Sequence, residues 1–334
     1  MTLCVSWIRQ ANNTEELIFA TDSMLTGAES WDKGVKLFEL PRKDCLLSFA
    51  GDTIRAYPLV LNLVSSIRFD KHLEAPEMNI SEVLIYISEL FTKLIKTIVK
   101  EVAKLDIHEL RGGARFLFGG WDWHQGAFRI WKLYYSKDAE GFLFDELTND
   151  DTKTRFYAFL GDAEINVEKE AKTRFNQLMV NEERMDSKLD MEPLTILRHI
   201  ALDKSIREVG GSLQIAKIYK SNKIEFFGII WPSSEGNPHF QGREYNNFTK
   251  PLVRYFNPDT FEILDLELPQ KLNSVQEEIY GINIDFINEC YPDGVLKEGI
   301  TEKDSQTLKS IFKDVAYSQF LENEQKESVD ETES

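Results

Sequence analysis

The chain predicts an α+β fold, a four-layer αββα sandwich of two antiparallel sheets flanked by helix pairs, and three observations predict it. Strand-like and helix-like segments come in blocks instead of alternating singly, which argues against a doubly wound parallel sheet. Consecutive strands are separated by short polar turns, as hairpins require. The block order is β-rich, two helices, β-rich, two helices, β, which two facing sheets with helices outside satisfy.

The elements follow in order. Leu3 to Ile8 is β-rich and starts the chain with no leader, a polar turn spans Gln10 to Glu16, and Leu17 to Thr21 returns as a second strand. After a Gly-containing loop, Val35 to Leu40 and Cys45 to Ala50 form two more strands around the Pro41-Arg42-Lys43-Asp44 turn. Asp52 or Thr53 can cap a helix to about Ile67. A longer helix from Asn79 or Ser81 to about Leu105 carries Val83, Leu84, Ile87, Leu90, Leu94 and Ile98 at helical spacing, with Lys93, Lys96, Lys100 and Lys104 on a solvated face. Strands return at Ala114 to Gly119, Ala127 to Tyr135 and Arg155 to Leu160. Helices over Ala163 to Met179 and Pro193 to Ser205 precede a final hairpin, Ser212 to Tyr219 with Lys223 to Ile230.

Pro232 to Gly242 is rich in Pro, Ser, Gly and Asn and marks a boundary or a long loop. Three units are expected: residues 1–232 as the core, 233–321 as an extension, and 322–334 as an acidic disordered tail. The extension should hold a short β pair near Leu252 to Phe256 and Phe261 to Leu266, and helices near Val275 to Cys290 and Glu302 to Leu321.

Composition narrows the function classes. The 334 residues are 42% hydrophobic and 28% charged, which excludes wholesale disorder, and the formal charge of −17 disfavours nucleic acid as a ligand. Six of the acids lie in Glu322 to Ser334 beside a single lysine, so the exclusion is weaker for the core than for the whole chain. No stretch approaches the ~20 apolar residues of a bilayer crossing, so no membrane partner is expected and the chain reads as cytoplasmic. Cys4, Cys45 and Cys290 are widely spaced and read as buried thiols. His72, His108, His124, His199 and His239 show no ligand spacing, so no metal is expected. Arg111-Gly112-Gly113 reads as a turn, and Trp121 with Trp123 as a packed turn or subunit contact.

The chemistry-bearing feature is Met1-Thr2 followed at once by a strand. With Met1 removed, Thr2 offers a hydroxyl and a free α-amine on one residue. An α-amine has an unperturbed pKa of about 7.7–8.0, so it can serve as general base for its own hydroxyl.

The segments Leu17 to Ser23, Lys36 to Leu40 and Ser48 to Asp52, with Phe118 to Asp122 and Val209 to Leu213 in support, resemble the proteasome β-subunit-like N-terminal nucleophile (Ntn) hydrolase family, including its bacterial proteasome-like peptidases. The resemblance covers about residues 2–230 and is most specific over the first fifty. It implies the Ntn hydrolase fold, with Thr2 as nucleophile, Asp22 as structural acid, Lys36 as the tuning lysine and Gly51 as the oxyanion-hole glycine. It also implies substrate added as a strand near Thr26 and Thr53. Where the family places an Asp and a Ser before its double glycine, this chain has Ile206 and Val209, leaving Asp203, Ser205 or Glu208 to take their part. Asp162 stands where the family has a serine, so Asp162 and Glu208 are the secondary-shell candidates.

The expected function is therefore a threonine hydrolase cleaving amide bonds of peptide or protein substrates through Thr2, as a homo-oligomer for which a ring is one form, with no cofactor. The residues name no ATPase partner. The alternatives are an inactive scaffold or binding subunit that keeps Met1, as in the family's α-type subunits, and a non-peptide amidase on the same fold.

Overall fold

A computed structural model describes residues 2–11, 14–26, 29–75, 77–100, 106–147, 156–161, 166–185, 187–221, 223–245, 250–251, 253–264, 283–291, 297 and 299–312. The expected tail, Asp162, and residues 275–282 and 313–321 of the two expected C-terminal helices lie outside these residues. Within them, 284–290 and 302–312 are helical.

The largest sheet runs β10 (Tyr157–Gly161), β1 (Leu3–Ala11), β2 (Thr14–Thr21), β11 (Gln214–Tyr219), β12 (Lys223–Trp231), β13 (Asn237–Phe240), β14 (Arg243–Glu244). A second sheet has the order β5 (Leu37–Glu39), β6 (Cys45–Gly51), β7 (Ala114–Asp122), β8 (Ala127–Ser136), β9 (Gly141–Glu146). A small hairpin joins β3 (Leu25–Thr26) to β4 (Ser30–Trp31). The pairings are antiparallel, as the hairpin signals predict, except that β15 (Tyr255–Phe256) adds to β12 in parallel and then pairs with β16 (Ile263–Leu264). Pairing therefore continues past residue 232, where the sequence shows a boundary: β12 bonds to both β13 and β15.

Three apolar clusters explain why these elements stay together. Cys4, Leu17, Phe19, Leu160, Ala216 and Ile218 of the first sheet meet Leu46, Ala50, Leu117 and Ile130 of the second. On the outer face of the first sheet, Val5, Trp7, Ile18 and Phe227 pack on Ala171 and Phe175 of α5 (Val167–Asn181) and Leu197 and Ile200 of α6 (Glu192–Leu202). On the outer face of the second, Leu47, Phe49, Phe116 and Trp131 pack on Leu59 and Leu63 of α1 (Thr53–Phe69) and Val83, Ile87 and Phe91 of α3 (Ile80–Lys96). Strand alternation thus buries both faces of β1 and β2, which is why they read as near-continuous apolar runs.

Several boundaries differ from the sequence reading. The long helix ends at Lys96, short of Leu105: the Thr97 and Ile98 N–H groups bond three residues back, to the Leu94 and Ile95 carbonyls at 3.0 and 3.3 Å, which tightens and closes the last turn at a run of β-branched residues, Thr97-Ile98-Val99. The short α2 (Lys71–Glu74), α4 (Ile107–Gly112) and β9 were not expected, nor was the β13–β14 hairpin, whose first strand and turn fall in the polar Pro232 to Gly242 stretch. The expected Leu252 to Phe256 and Phe261 to Leu266 pair is present as β15 and β16. Cys4, Cys45 and Cys290 are free and buried.

Candidate functional site

Asp22 follows directly on β2, with its side chain fully buried. Its Oδ1 accepts the Leu3 N–H and the Lys36 ammonium, each at 3.0 Å, and its Oδ2 accepts the N–H groups of Met24 and Gly210, each at 3.1 Å. A buried carboxylate needs such a donor set, since an uncompensated charge in the interior costs several kcal/mol. One oxygen therefore holds both a lysine head group and the peptide that joins Thr2 to β1.

Lys36 lies just before β5 and is completely buried. Burial pushes its pKa down, and the charge and hydrogen bond of Asp22 oppose that fall. Its backbone is fixed too: the Lys36 N–H donates to Gln214 Oε1 at 3.0 Å, and its carbonyl accepts the Phe49 N–H at 3.2 Å.

Thr2 is buried, and Leu3 pairs with Gly161 of β10. The strand's alternation gives Thr2 the face of Cys4, which looks toward the second sheet. Cys4 donates through its thiol to the Phe49 carbonyl, 2.9 Å away, so β1 touches β6 directly. Burial pushes the Cys4 thiol up to about 12 against the nearby Thr21 hydroxyl and Lys36 charge, so it is no nucleophile at neutral pH.

Gly51 ends β6 opposite Ala114. Next along β7, Arg115 donates to the Gly161 carbonyl at 3.3 Å, which brings the end of β6 to the same end of the sheet pair as Thr2. Gly51 has φ +100°, and a Cβ there would lie 2.2 Å from the Gly113 carbonyl oxygen, so both conformation and space require glycine. The Phe49 N–H points toward Lys36, and alternation along β6 gives the Gly51 N–H the same side.

The structure thus brings Thr2, Asp22, Lys36 and Gly51 to one end of the sheet pair. Thr26 is half-buried on the β3–β4 hairpin, two residues beyond Met24, and Thr53 is the first residue of α1, whose N-cap is Asp52, accepting the Ile54 N–H at 2.8 Å. Glu208 lies half-buried two residues before Gly210, and Asp162 is outside the described residues. Val209 is buried in the α5–α6 cluster and Ile206 packs against it, so both positions are core. Asp203 turns to α5, bonding Arg174 at 2.7 Å and the Ser205 hydroxyl at 2.6 Å, and neither Asp203 nor Ser205 joins Asp22.

Sequence reasoning missed three groups. The Gly210 amide reaches Asp22 and the Gly210 carbonyl accepts the N–H groups of Ser23 and Met24. Gln214 holds Lys36 and Leu37 by their amides and donates to the Gly34 carbonyl at 2.6 Å. The Ser23 hydroxyl donates to the Asp32 carbonyl and accepts the Ser212 N–H. A glutamine between Leu213 and Ile215 in an apolar strand was the one signal available for Gln214. Among the described residues, no group of three or more His, Cys, Asp or Glu side chains could hold a metal, and no helix is long and apolar enough to cross a membrane.

No family model matches the chain, and no curated protein matches it. The expectation that the chain is a member of the proteasome β-subunit-like Ntn hydrolase family is corrected by that finding. Among solved structures it is similar to Anbu (ancestral beta-subunit) from Yersinia bercovieri, with a TM-score of 0.44 and 18% identity over 67% of this chain and 86% of that one. A likeness that slight transfers neither a fold nor an activity, and the functional reading rests on the geometry of the chain itself.

Proposed function

We propose that the chain is an N-terminal threonine hydrolase that cleaves amide bonds after removal of Met1. The observation that carries the reading is the shared Asp22 oxygen, which holds the Lys36 ammonium beside the backbone of Thr2. Asp22 also takes three backbone amides, so it fixes the main chain around that ammonium, and perturbed buried groups with a specific charge partner concentrate at functional sites.

In this reading the Thr2 Oγ attacks the substrate carbonyl while the α-amine takes the hydroxyl proton. The Lys36 charge favours the alkoxide and, by like-charge repulsion, keeps the α-amine neutral. The Gly51 N–H donates to the developing oxyanion. The amine passes its proton to the leaving nitrogen, the C–N bond breaks, and an ester on Thr2 remains. Water then attacks that ester, freeing the acid and restoring the hydroxyl. Substrate lies between the Thr26 and Thr53 segments, peptide or protein in the first instance.

The wider architecture belongs to the same proposal. Residues 1–232 form the hydrolase core, a four-layer αββα sandwich; 233–321 form an extension that lends strands to it, followed by a 322–334 tail. The assembly is a cytoplasmic homo-oligomer.

Intact mass tests the premise, because a chain that keeps Met1 has no free Thr2 amine and the nucleophile reading falls. With Met1 gone, a fluorogenic peptide should be cleaved by the wild type, and cleavage should drop to background in Thr2→Ala and Lys36→Ala. Equal rates in all three reject the assignment. The second reading, an inactive scaffold of the same shape, is favoured by one observation: Ile206 and Val209 place apolar side chains in the core where an acid and a hydroxyl would orient the amine.

A further inference from the structure

Residues beyond 232 reach the candidate site. The β13–β14 hairpin closes through Gln241 and Gly242, with Phe240 opposite Arg243. Both turn residues have positive φ, +51° and +81°, the pattern of a two-residue type I′ turn. The turn is seated on Ser23. A Cβ at residue 242 would lie 2.6 Å from Ser23 Cβ, 3.2 Å from Ser23 Oγ and 3.4 Å from Gln214 Nε2. The Gln241 side-chain oxygen is buried and has no hydrogen-bond partner among the described residues, so close packing is what the turn visibly contributes there.

The two side chains under the turn hold the site. Ser23 follows Asp22, and its hydroxyl ties that segment to Asp32 and Ser212 at 2.6 and 3.0 Å. Gln214 grips the Lys36 and Leu37 amides at 3.0 and 3.3 Å while donating to the Gly34 carbonyl. We propose that the Gln241-Gly242 turn of the extension is a positioning element for Lys36: it backs Ser23 and Gln214, and through them fixes Asp22 and the lysine. What the positioned lysine does rests on the hydrolase reading; that it is positioned from the extension does not.

The test uses the full chain as wild type, Gly242→Ala, Ser23→Gly and the double variant. Each is read by peptide hydrolysis and by the 15N signal of the Lys36 ammonium, assigned by its loss in Lys36→Met. Gly242→Ala should keep its far-UV spectrum, lower kcat about ten- to a hundredfold with KM little changed, move the pH profile and shift the Lys36 signal, because small misplacements of reacting groups are costly. Ser23→Gly removes the two atoms the new methyl meets most closely and leaves Gln214 Nε2 at an ordinary 3.4 Å, while the strain of a side chain at φ +81° is common to both backgrounds. Adding Gly242→Ala to it should therefore change kcat and the Lys36 signal far less than in the wild type. A folded Gly242→Ala with unchanged kcat, pH profile and Lys36 signal overturns the proposal, as does an equal effect in the Ser23→Gly background. Should Gly242→Ala alone fail to fold, the double variant decides: matching Ser23→Gly supports the contact, and failing to fold or falling well below Ser23→Gly overturns it. If the wild type hydrolyses nothing while Gly242→Ala still shifts the Lys36 signal, the hydrolase reading fails and the positioning stands.

Discussion

Replacing Asp22 by alanine should cost far more than removing the lysine it holds. Asp22 receives four donors, three backbone N–H groups and the Lys36 ammonium, all in a fully buried place. Asp22→Ala takes from the buried ammonium the carboxylate that compensates its charge, a loss of about 3–5 kcal/mol. At about 2–4 °C per kcal/mol, the melting temperature should fall by roughly 6–20 °C. Lys36→Met keeps the carboxylate with its three backbone donors and removes a desolvated charge, so about 1–2 kcal/mol is expected. The double variant no longer strands a charge and should be about 2 kcal/mol more stable than Asp22→Ala alone. Urea titration of the four proteins measures this cycle. The lysine also fixes a sign with pH. Burial lowers its folded pKa against the pull of Asp22, so between that value and the ordinary lysine range the unfolded chain binds more protons than the folded one. Wild-type stability relative to Lys36→Met should therefore rise with pH across that window, the gain being complete above the ordinary lysine range and lost as pH falls through the folded value. Additive losses in the cycle, or a difference that falls as pH rises, would refute the reasoning.

Three further outcomes are expected. Gly51→Ala, forced to φ +100° with its methyl against the Gly113 carbonyl, should lose about 2–4 kcal/mol in a denaturant titration. Burial pushes the Glu168 carboxyl up, but Lys132 and Lys172 outweigh it and hold it at about 2, so the carboxylate adds stability that is present above the ordinary glutamate range and lost as pH falls toward 2. Allowing for solvent screening, Glu168→Gln should remove about 1–2 kcal/mol at pH 7 and almost nothing near pH 2, read from melting curves across that range. Cys4, with its thiol pushed up to about 12, should resist a thiol reagent at pH 8 in the native protein and react at once in urea.

The strands around the site were legible because burial on both faces turns them into apolar runs: Leu3 to Ile8, Leu17 to Thr21 and Cys45 to Ala50 need no tertiary knowledge to be read. Asp22, Lys36 and Gly51 at the strand ends were singled out by the family resemblance, since taken separately Asp22 reads as a turn acid and Lys36 as a surface lysine. What stayed hidden is held by contacts between distant segments. β9 is anchored where the Phe142 N–H donates to Thr92 Oγ1 and the Ser88 hydroxyl donates to the Phe142 carbonyl, a link fifty residues long that no local pattern announces. The β13–β14 hairpin lies in a polar stretch whose composition says loop, and only its pairing to β12 makes it a strand. The Gly210 amide on Asp22 was out of reach for the same reason, since a backbone donor carries no side-chain signature.

Burial of a lysine is not what singles out the site, because the chain has a second one. Lys217 is buried beside Glu16 at 2.9 Å, and its ammonium lies 5.2 and 5.4 Å from the ring centres of Phe227 and Phe256. Desolvation lowers its pKa against the pull of Glu16, as it does for Lys36 against Asp22. The difference lies in how the acids are shared. Glu16 also takes the Arg9 guanidinium at 2.6 Å, so its partners are side-chain cations, and aromatic faces beneath Lys217 provide further compensation. Asp22 divides its oxygens between one cation and three backbone amides drawn from β1, from the segment after β2 and from the loop before β11. The Glu16 arrangement joins charged side chains across strands and needs no fixed main-chain geometry. The Asp22 arrangement sets the geometry of three chain segments around one ammonium. Lys217→Met should therefore change stability without moving the Lys36 signal, whereas Asp22→Asn, which puts an amide donor where amides already point, should displace that signal even where the protein stays folded. A Lys36 signal that moves equally in both variants would place the two lysines in one structural network and remove the ground for singling out Lys36.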